Sequence, residues 1–139
     1  MKLPTVELGL RRPLGIEQTV FNQPFWQGLS NGQFLLATCK NCGRRSFPPK
    51  AVCPGCHGED FDWVPATGKG VIYSYTRIQT SPPIYELLTP STLVVIDLEE
   101  DVRLLSRLLP NGNSGAVGMP CRLVITKHPD GVFFAAEVI

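Results

Sequence analysis

The chain carries only two histidines, His57 and His128, and neither stands in a nucleophile–base pattern. That removes the commonest route to acyl or phosphoryl hydrolysis. No glycine-rich phosphate loop follows a strand and opens a helix, so nucleotide hydrolysis has no support either. No apolar run approaches the roughly 18 residues a membrane span needs. The opening MKLPTVELGLRRPLG contains Pro4 and Pro13 and no apolar h-region, so no secretory signal is expected. The expectation is a soluble, cytoplasmic protein whose thiols stay reduced. No internal repeat or low-complexity tract is visible. The net charge is only +1, short of the basic excess of a nonspecific nucleic-acid binder.

Cysteine is what the chain does have in a pattern. Four of its five cysteines lie in CKNCGRRSFPPKAVCPGC, as Cys39-x-x-Cys42 and Cys53-x-x-Cys56. Each short pair supplies two sulfurs from one tight turn, so in a reducing compartment the two pairs read as a four-thiolate metal site, with zinc as the default and iron able to use the same ligands. Gly43 and Gly55 let the backbone wrap closely and aim amides at sulfur. Four thiolates leave no open position for water, which makes the site structural. A thioredoxin-like redox pair needs one Cys-x-x-Cys at a helix start, and SFPPK offers none. His57 beside Cys56 is read as solvent-facing or as outer support for the metal ligands. The fifth cysteine, Cys121, follows GMP on an apolar run and is read as a buried small hydrophobe.

With 139 residues, 43% of them hydrophobic, and thirteen each of glycine and proline, one compact unit rich in turns is expected. Before the cysteines, Phe21, Phe25, Trp26 and Leu29 recur at helical intervals, and GQFLLATC then reads as extended. Packing against the chain's own core is preferred over partner docking for Phe25 and Trp26, although both remain candidates for an exposed contact. After the cysteines come five strand-like runs, beginning at Gly70, Ser91, Val102, Cys121 and Val132, which make a small barrel. DLEED is a polar reversal, LPNGNSGAVGMP a turn-rich loop and HPDG a hairpin signal with His128 at its edge. EEDVRLLSRLLP also fits a helix, with its leucines on one face, but is assigned to a strand because five strands then close. Glu99, Glu100 and Asp101 are read as a solvated surface turn rather than a paired-carboxylate site.

PFWQGLSNGQFLLATCKNCGRRSFPPKAVCPGC, DFDWVPATGKGVIYSYTRI, STLVVIDLEEDVRLLSRL and GMPCRLVITKHPDGVFFAAEV, in this order, resemble the DUF35 family from about residue 20 to the C-terminus. Members often have a glycine after LDE, where this chain has Glu100-Asp101. The resemblance implies a mainly β protein: a short N-terminal helical segment (1–34), a rubredoxin-like zinc ribbon (35–64) and a five-stranded OB-fold barrel (65–139). It further implies a noncatalytic accessory subunit or acyl-CoA-binding adaptor beside a thiolase-superfamily enzyme, not an enzyme acting alone. Bound acyl-CoA needs cations for its phosphates and a partly apolar channel for its arm. The candidates are Arg44, Arg45, Lys50 and Phe47 in the loop between the cysteine pairs, and Tyr73, Tyr75 and Arg77 at alternating strand positions on one face. The competing reading is a single-stranded nucleic-acid binder, since OB barrels occur there and the tyrosines offer stacking. Charge opposes it: Cys39–Trp63 sets Lys40, Arg44, Arg45 and Lys50 against Glu59, Asp60 and Asp62, and the stretch from Val64 has six basic and seven acidic residues.

Overall fold

The computed structural model describes residues 2–9, 11–12, 18–80, 91–110 and 115–139. Part of the predicted LPNGNSGAVGMP loop, residues 111–114, lies outside them. The helix, α1 (Gln23–Ser30), begins where Thr19 and Asn22 exchange bonds: the Thr19 amide donates to Asn22 Oδ1 at 2.7 Å and the Asn22 amide to Thr19 Oγ1 at 3.1 Å. Pro24 occupies the first turn, where a missing N–H costs nothing. Phe25 and Leu29, one turn apart, bury its inner face. Phe21 lies just ahead of the helix and packs on Phe61 and Trp63, with ring centroids 6.0 and 5.9 Å away.

Three antiparallel strands then form the ribbon: β2 (Leu35–Cys39), with β3 (Arg45–Ser46) on one side and β4 (Phe61–Pro65) on the other. The barrel follows as β5 (Lys69–Ile78), β6 (Ser91–Leu98), β7 (Arg103–Leu108), β8 (Pro120–His128) and β9 (Gly131–Val138). Pairing runs β5–β6–β7–β9–β8 and back to β5, so five strands close on themselves. Along β7, Leu104, Ser106 and Leu108 are buried while Arg103 and Leu105 face out. This alternation of period two decides the EEDVRLLSRLLP ambiguity for strand, because only an extended backbone bridges β6 to β9. Closure also demands close approach: a Cβ on Gly70 would fall 2.6 Å from the Asp97 carbonyl oxygen.

One strand was not anticipated. β1 (Thr5–Glu7) pairs parallel with Ile125–Lys127 of β8. β5 pairs with β8 only as far as Arg122, which leaves an edge that the N-terminal segment covers. Three residues beside a proline carry no strand signal of their own; the β8 edge templates them.

The core is continuous from helix to ribbon to barrel. At its centre Phe25, Phe34, Phe47 and Phe134 meet with ring centroids 5.1 to 6.4 Å apart, mostly edge to face. Phe25 is therefore no exposed contact: it is 2% exposed. Trp26, half-buried against Phe133 at 6.1 Å, remains at the surface of this hub. Among the described residues, no helix is long and apolar enough to cross a membrane.

Candidate metal centre and the adjoining groove

The two cysteine turns are near copies of each other. In the first, the Gly43 amide donates to the Cys39 carbonyl at 2.9 Å and the Cys39 amide to the Arg44 carbonyl at 2.9 Å. In the second, His57 donates to Cys53 at 2.9 Å and Cys53 to Gly58 at 2.8 Å. Both turns need a left-handed residue just after the second cysteine: Gly43 has φ +77° and His57 has φ +65°. Histidine tolerates that region better than most side chains, so exposed His57 is explained by the turn it makes.

These turns bring the Sγ atoms of Cys39, Cys42, Cys53 and Cys56 within 4.8 Å of one another. Cys39–Cys56 and Cys42–Cys53 each stand at 3.5 Å. A tetrahedral ion with roughly 2.3 Å bonds to sulfur separates its ligands by roughly 3.8 Å, so the donor set fits. Hydrogen bonds favour the thiolate at Cys53 and Cys56. The Asn41 side chain and then the Gly58 amide draw the Cys56 thiol down to about 6. Cys53 is also lowered, first by the Cys56 amide, with the Gly55 amide donating to its sulfur at 3.4 Å. The Arg44 amide favours the Cys42 thiolate, but its sulfur neighbours, Cys53 foremost, push that thiol up to about 11. The four cysteines form a closed metal site. Cys121, by contrast, is buried within β8, and desolvation raises its thiol to about 11.

Beside the metal site lies a groove of about 540 Å³ between ribbon and barrel, walled by Arg44, Arg45, Phe47 and Lys50 on one side and Glu100–Arg103 on the other. Arg44 leans its stem across Gly55 of the second cysteine turn. Arg45 reaches over, its Nη1 donating to the Glu100 carbonyl at 3.2 Å. Phe47 packs its ring against the aromatic hub and offers the groove only what that packing leaves uncovered. The candidates on β5 separate. Register shifts between Ile72 and Ser74, a β-bulge at Tyr73. After it, Tyr75 and Arg77 stand opposite Val94 and Thr92, in phase with the buried Val94, whereas the Tyr73 ring lies under Arg103 at 3.6 Å. The single face expected for Tyr73, Tyr75 and Arg77 does not exist, because the extra residue flips the alternation.

Sequence reasoning also missed Arg103, and it placed the acidic residues in a surface turn, as found, without the bonds that turn makes. Glu100 Oε2 accepts the Thr67 amide at 2.8 Å, and Glu99 Oε2 accepts the Thr67 hydroxyl at 3.0 Å. The turn lies at the surface, with Glu99 and Asp101 exposed, and also clamps the ribbon–barrel linker. Asp101 adopts φ +61°, a left-handed conformation that a glycine would adopt without strain. Arg103 had one available signal: it sits opposite Asp97 across a hairpin, and opposite charges at paired positions are a sheet signature.

Comparison with known proteins agrees with this architecture. Residues 26–62 match the family described as "ChsH2, rubredoxin-like zinc ribbon domain", and residues 63–126 match "ChsH2, C-terminal OB-fold domain". A DUF35 domain-containing scaffold protein of Methanothermobacter thermautotrophicus is 31% identical, over 64% of this chain and 68% of its own length. The benzoylsuccinyl-CoA thiolase subunit BbsA of Thauera aromatica is 36% identical, over 50% of this chain and 47% of its own. A solved chain of an Ltp2-ChsH2(DUF35) aldolase superposes with a TM-score of 0.77 at 24% identity, covering 89% of this chain and 98% of that one. Two further matches reach 61% and 27% of the relative's own length, so the chain spans less than two thirds of most of the curated relatives it matches. With ribbon, barrel and their order matched together, the chain belongs to the DUF35 family.

Proposed function

We propose that the chain is a noncatalytic accessory subunit, an acyl-CoA-binding adaptor that works with a thiolase-superfamily enzyme in the cytoplasm, with zinc on its four cysteines. The observation that carries the reading is the groove. Arg44, Arg45 and Lys50 from the ribbon face Arg103 from the barrel, a concentration of cations suited to the phosphates of a CoA nucleotide. The metal holds the two cysteine turns from which that loop springs, so its role is to shape the groove. The names of the relatives support the same direction: one is a subunit of a CoA-thioester thiolase and another a scaffold protein. Tyr75 and Arg77 would lie outside this groove, along the far end of β5.

Co-expression with a thiolase-superfamily enzyme of the same genome tests the adaptor role; one shared gel-filtration peak is expected, and two separate peaks would refute that role. Titration of acetyl-CoA into the complex tests the groove. Arg44→Ala with Arg45→Ala is expected to weaken binding by about 1.5–3 kcal/mol for each charge-assisted hydrogen bond removed. Unchanged affinity in a folded, metal-loaded double variant would move the CoA site elsewhere. Oligonucleotide binding that falls steeply with salt would favour the single-strand reading instead.

A further inference from the structure

We infer that Arg103 is a phosphate-binding residue of the groove and that Asp97 and Tyr73 position its guanidinium, an inference that rests on the acyl-CoA reading above. Arg103 and Asp97 are register partners on the outer faces of β7 and β6. The Arg103 Nε donates to Asp97 Oδ1 at 2.6 Å and Nη2 to Oδ2 at 3.1 Å, a two-pronged bond that fixes the guanidinium plane. Tyr73 supports it from one face, its ring centroid 3.6 Å from Cζ. Tyr73 follows the buried Ile72 and so faces outward, on the side of Asp97 and Arg103, and the bulge between Ile72 and Ser74 leaves it with no register partner on β6.

So held, the Arg103 side chain is still 53% exposed, and it lines the groove opposite Arg44 and Lys50. A guanidinium already locked in place has little freedom left to lose when an oxyanion arrives. Two of the acidic groups around it are engaged. Asp97 takes the two-pronged bond, Glu100 is tied to Thr67, and exposed Asp101 begins the strand-side wall. The anion is therefore expected between Arg103 and the ribbon loop. A surface ion pair kept for stability alone contributes little and gives no reason for the ring stacked beneath the guanidinium.

The test is calorimetric titration of CoA, 3′-dephospho-CoA and pantetheine into the metal-loaded protein, alone and in complex with its thiolase-like partner. Arg103→Ala is expected to weaken CoA by about tenfold or more, the loss typical of one charge-assisted hydrogen bond. Arg103→Lys keeps the charge but not the two-pronged bond, so it should also weaken CoA by several-fold. Tyr73→Phe should bind like the wild type and Tyr73→Leu less well, a rescue by ring alone that a merely structural role would not produce in affinity. Pantetheine should not distinguish Arg103→Ala from wild type, and 3′-dephospho-CoA reports whether the 3′-phosphate is the group held. Arg103→Ala binding CoA within twofold of wild type, while the Arg44 and Arg45 double variant loses it, would overturn this inference and leave the groove reading standing. An equal loss for pantetheine and CoA would overturn it as well. A wild type that binds no CoA in either form would refute both.

Discussion

Phe34 is the residue whose truncation tests the architecture most directly. It is 0% exposed, and its ring stands 5.2, 5.2 and 5.1 Å from those of Phe25, Phe47 and Phe134. Those partners belong to the helix, the loop between the cysteine pairs and the barrel, so one side chain touches all three. Burying a phenylalanine removes roughly 200 Å² from water, or about 5 kcal/mol at roughly 25 cal/mol per Å². Measured Phe→Ala costs of about 3–5 kcal/mol bracket the same value. For a domain of this size that lowers the melting temperature by roughly 10–20 °C. Thermal unfolding of Phe34→Ala, followed in parallel by far-UV circular dichroism and by a chromogenic chelator that reports metal release, should move both signals downward. A shift confined to metal release, with the barrel melting at the wild-type temperature, would refute a hub shared by ribbon and barrel.

Two further substitutions probe the site. Cys53→Ser should abolish stoichiometric metal in elemental analysis and weaken the near-UV signal of the hub, since Phe47 rides on the loop between the cysteine pairs; full metal retention would contradict the four-thiolate assignment. The closed ladder from β5 to β9 should keep its far-UV signal in that variant at room temperature. Asp101→Gly should be neutral or stabilise by up to about 1 kcal/mol, because φ +61° strains a side chain and not glycine. Asp101→Val should cost about 1 kcal/mol or more in urea unfolding. Equal stability of the two variants would show that the turn relaxes away from this backbone conformation.

The metal site was legible because its determinants are local. Cys-x-x-Cys spacing and the residues after each pair define a turn before any tertiary contact forms, and the structure only adds that His57 takes the left-handed role Gly43 plays in the other copy. The five barrel strands were legible from period-two alternation, with β7 resolved by closure. What could not be read depends on register or on distant templates. β1 exists because β8 has an open edge there. Tyr73, Tyr75 and Arg77 alternate in sequence, yet a bulge that no residue type announces separates Tyr73 from the other two. The acidic turn looked solvated because nothing in DLEED reveals that Thr67, more than thirty residues earlier, would be bonded by two of its carboxylates.

In the acyl-CoA reading proposed above, that last interaction bears on how the groove would keep its shape. The groove has walls from two units joined by a linker of a few residues, and an unrestrained linker would let its width vary. Here two successive linker residues are held, one to each side. The Ala66 amide donates to the Phe34 carbonyl at 2.8 Å, tying it to the hub, and Thr67 bonds Glu99 and Glu100, tying it to the β6–β7 turn. The same turn accepts Arg45 through the Glu100 carbonyl and begins the strand that carries Arg103. Arg45 therefore spans the groove from ribbon to barrel, ending on a backbone carbonyl. A neutral carbonyl is a weaker acceptor for guanidinium than a phosphate oxygen, so an arriving phosphate has the advantage in competing for Arg45 while Arg103, held by Asp97, need not move. On that reading the groove would combine a fixed cation on the barrel with an exchangeable one on the ribbon, with the clamp at Thr67 joining the two walls that carry them.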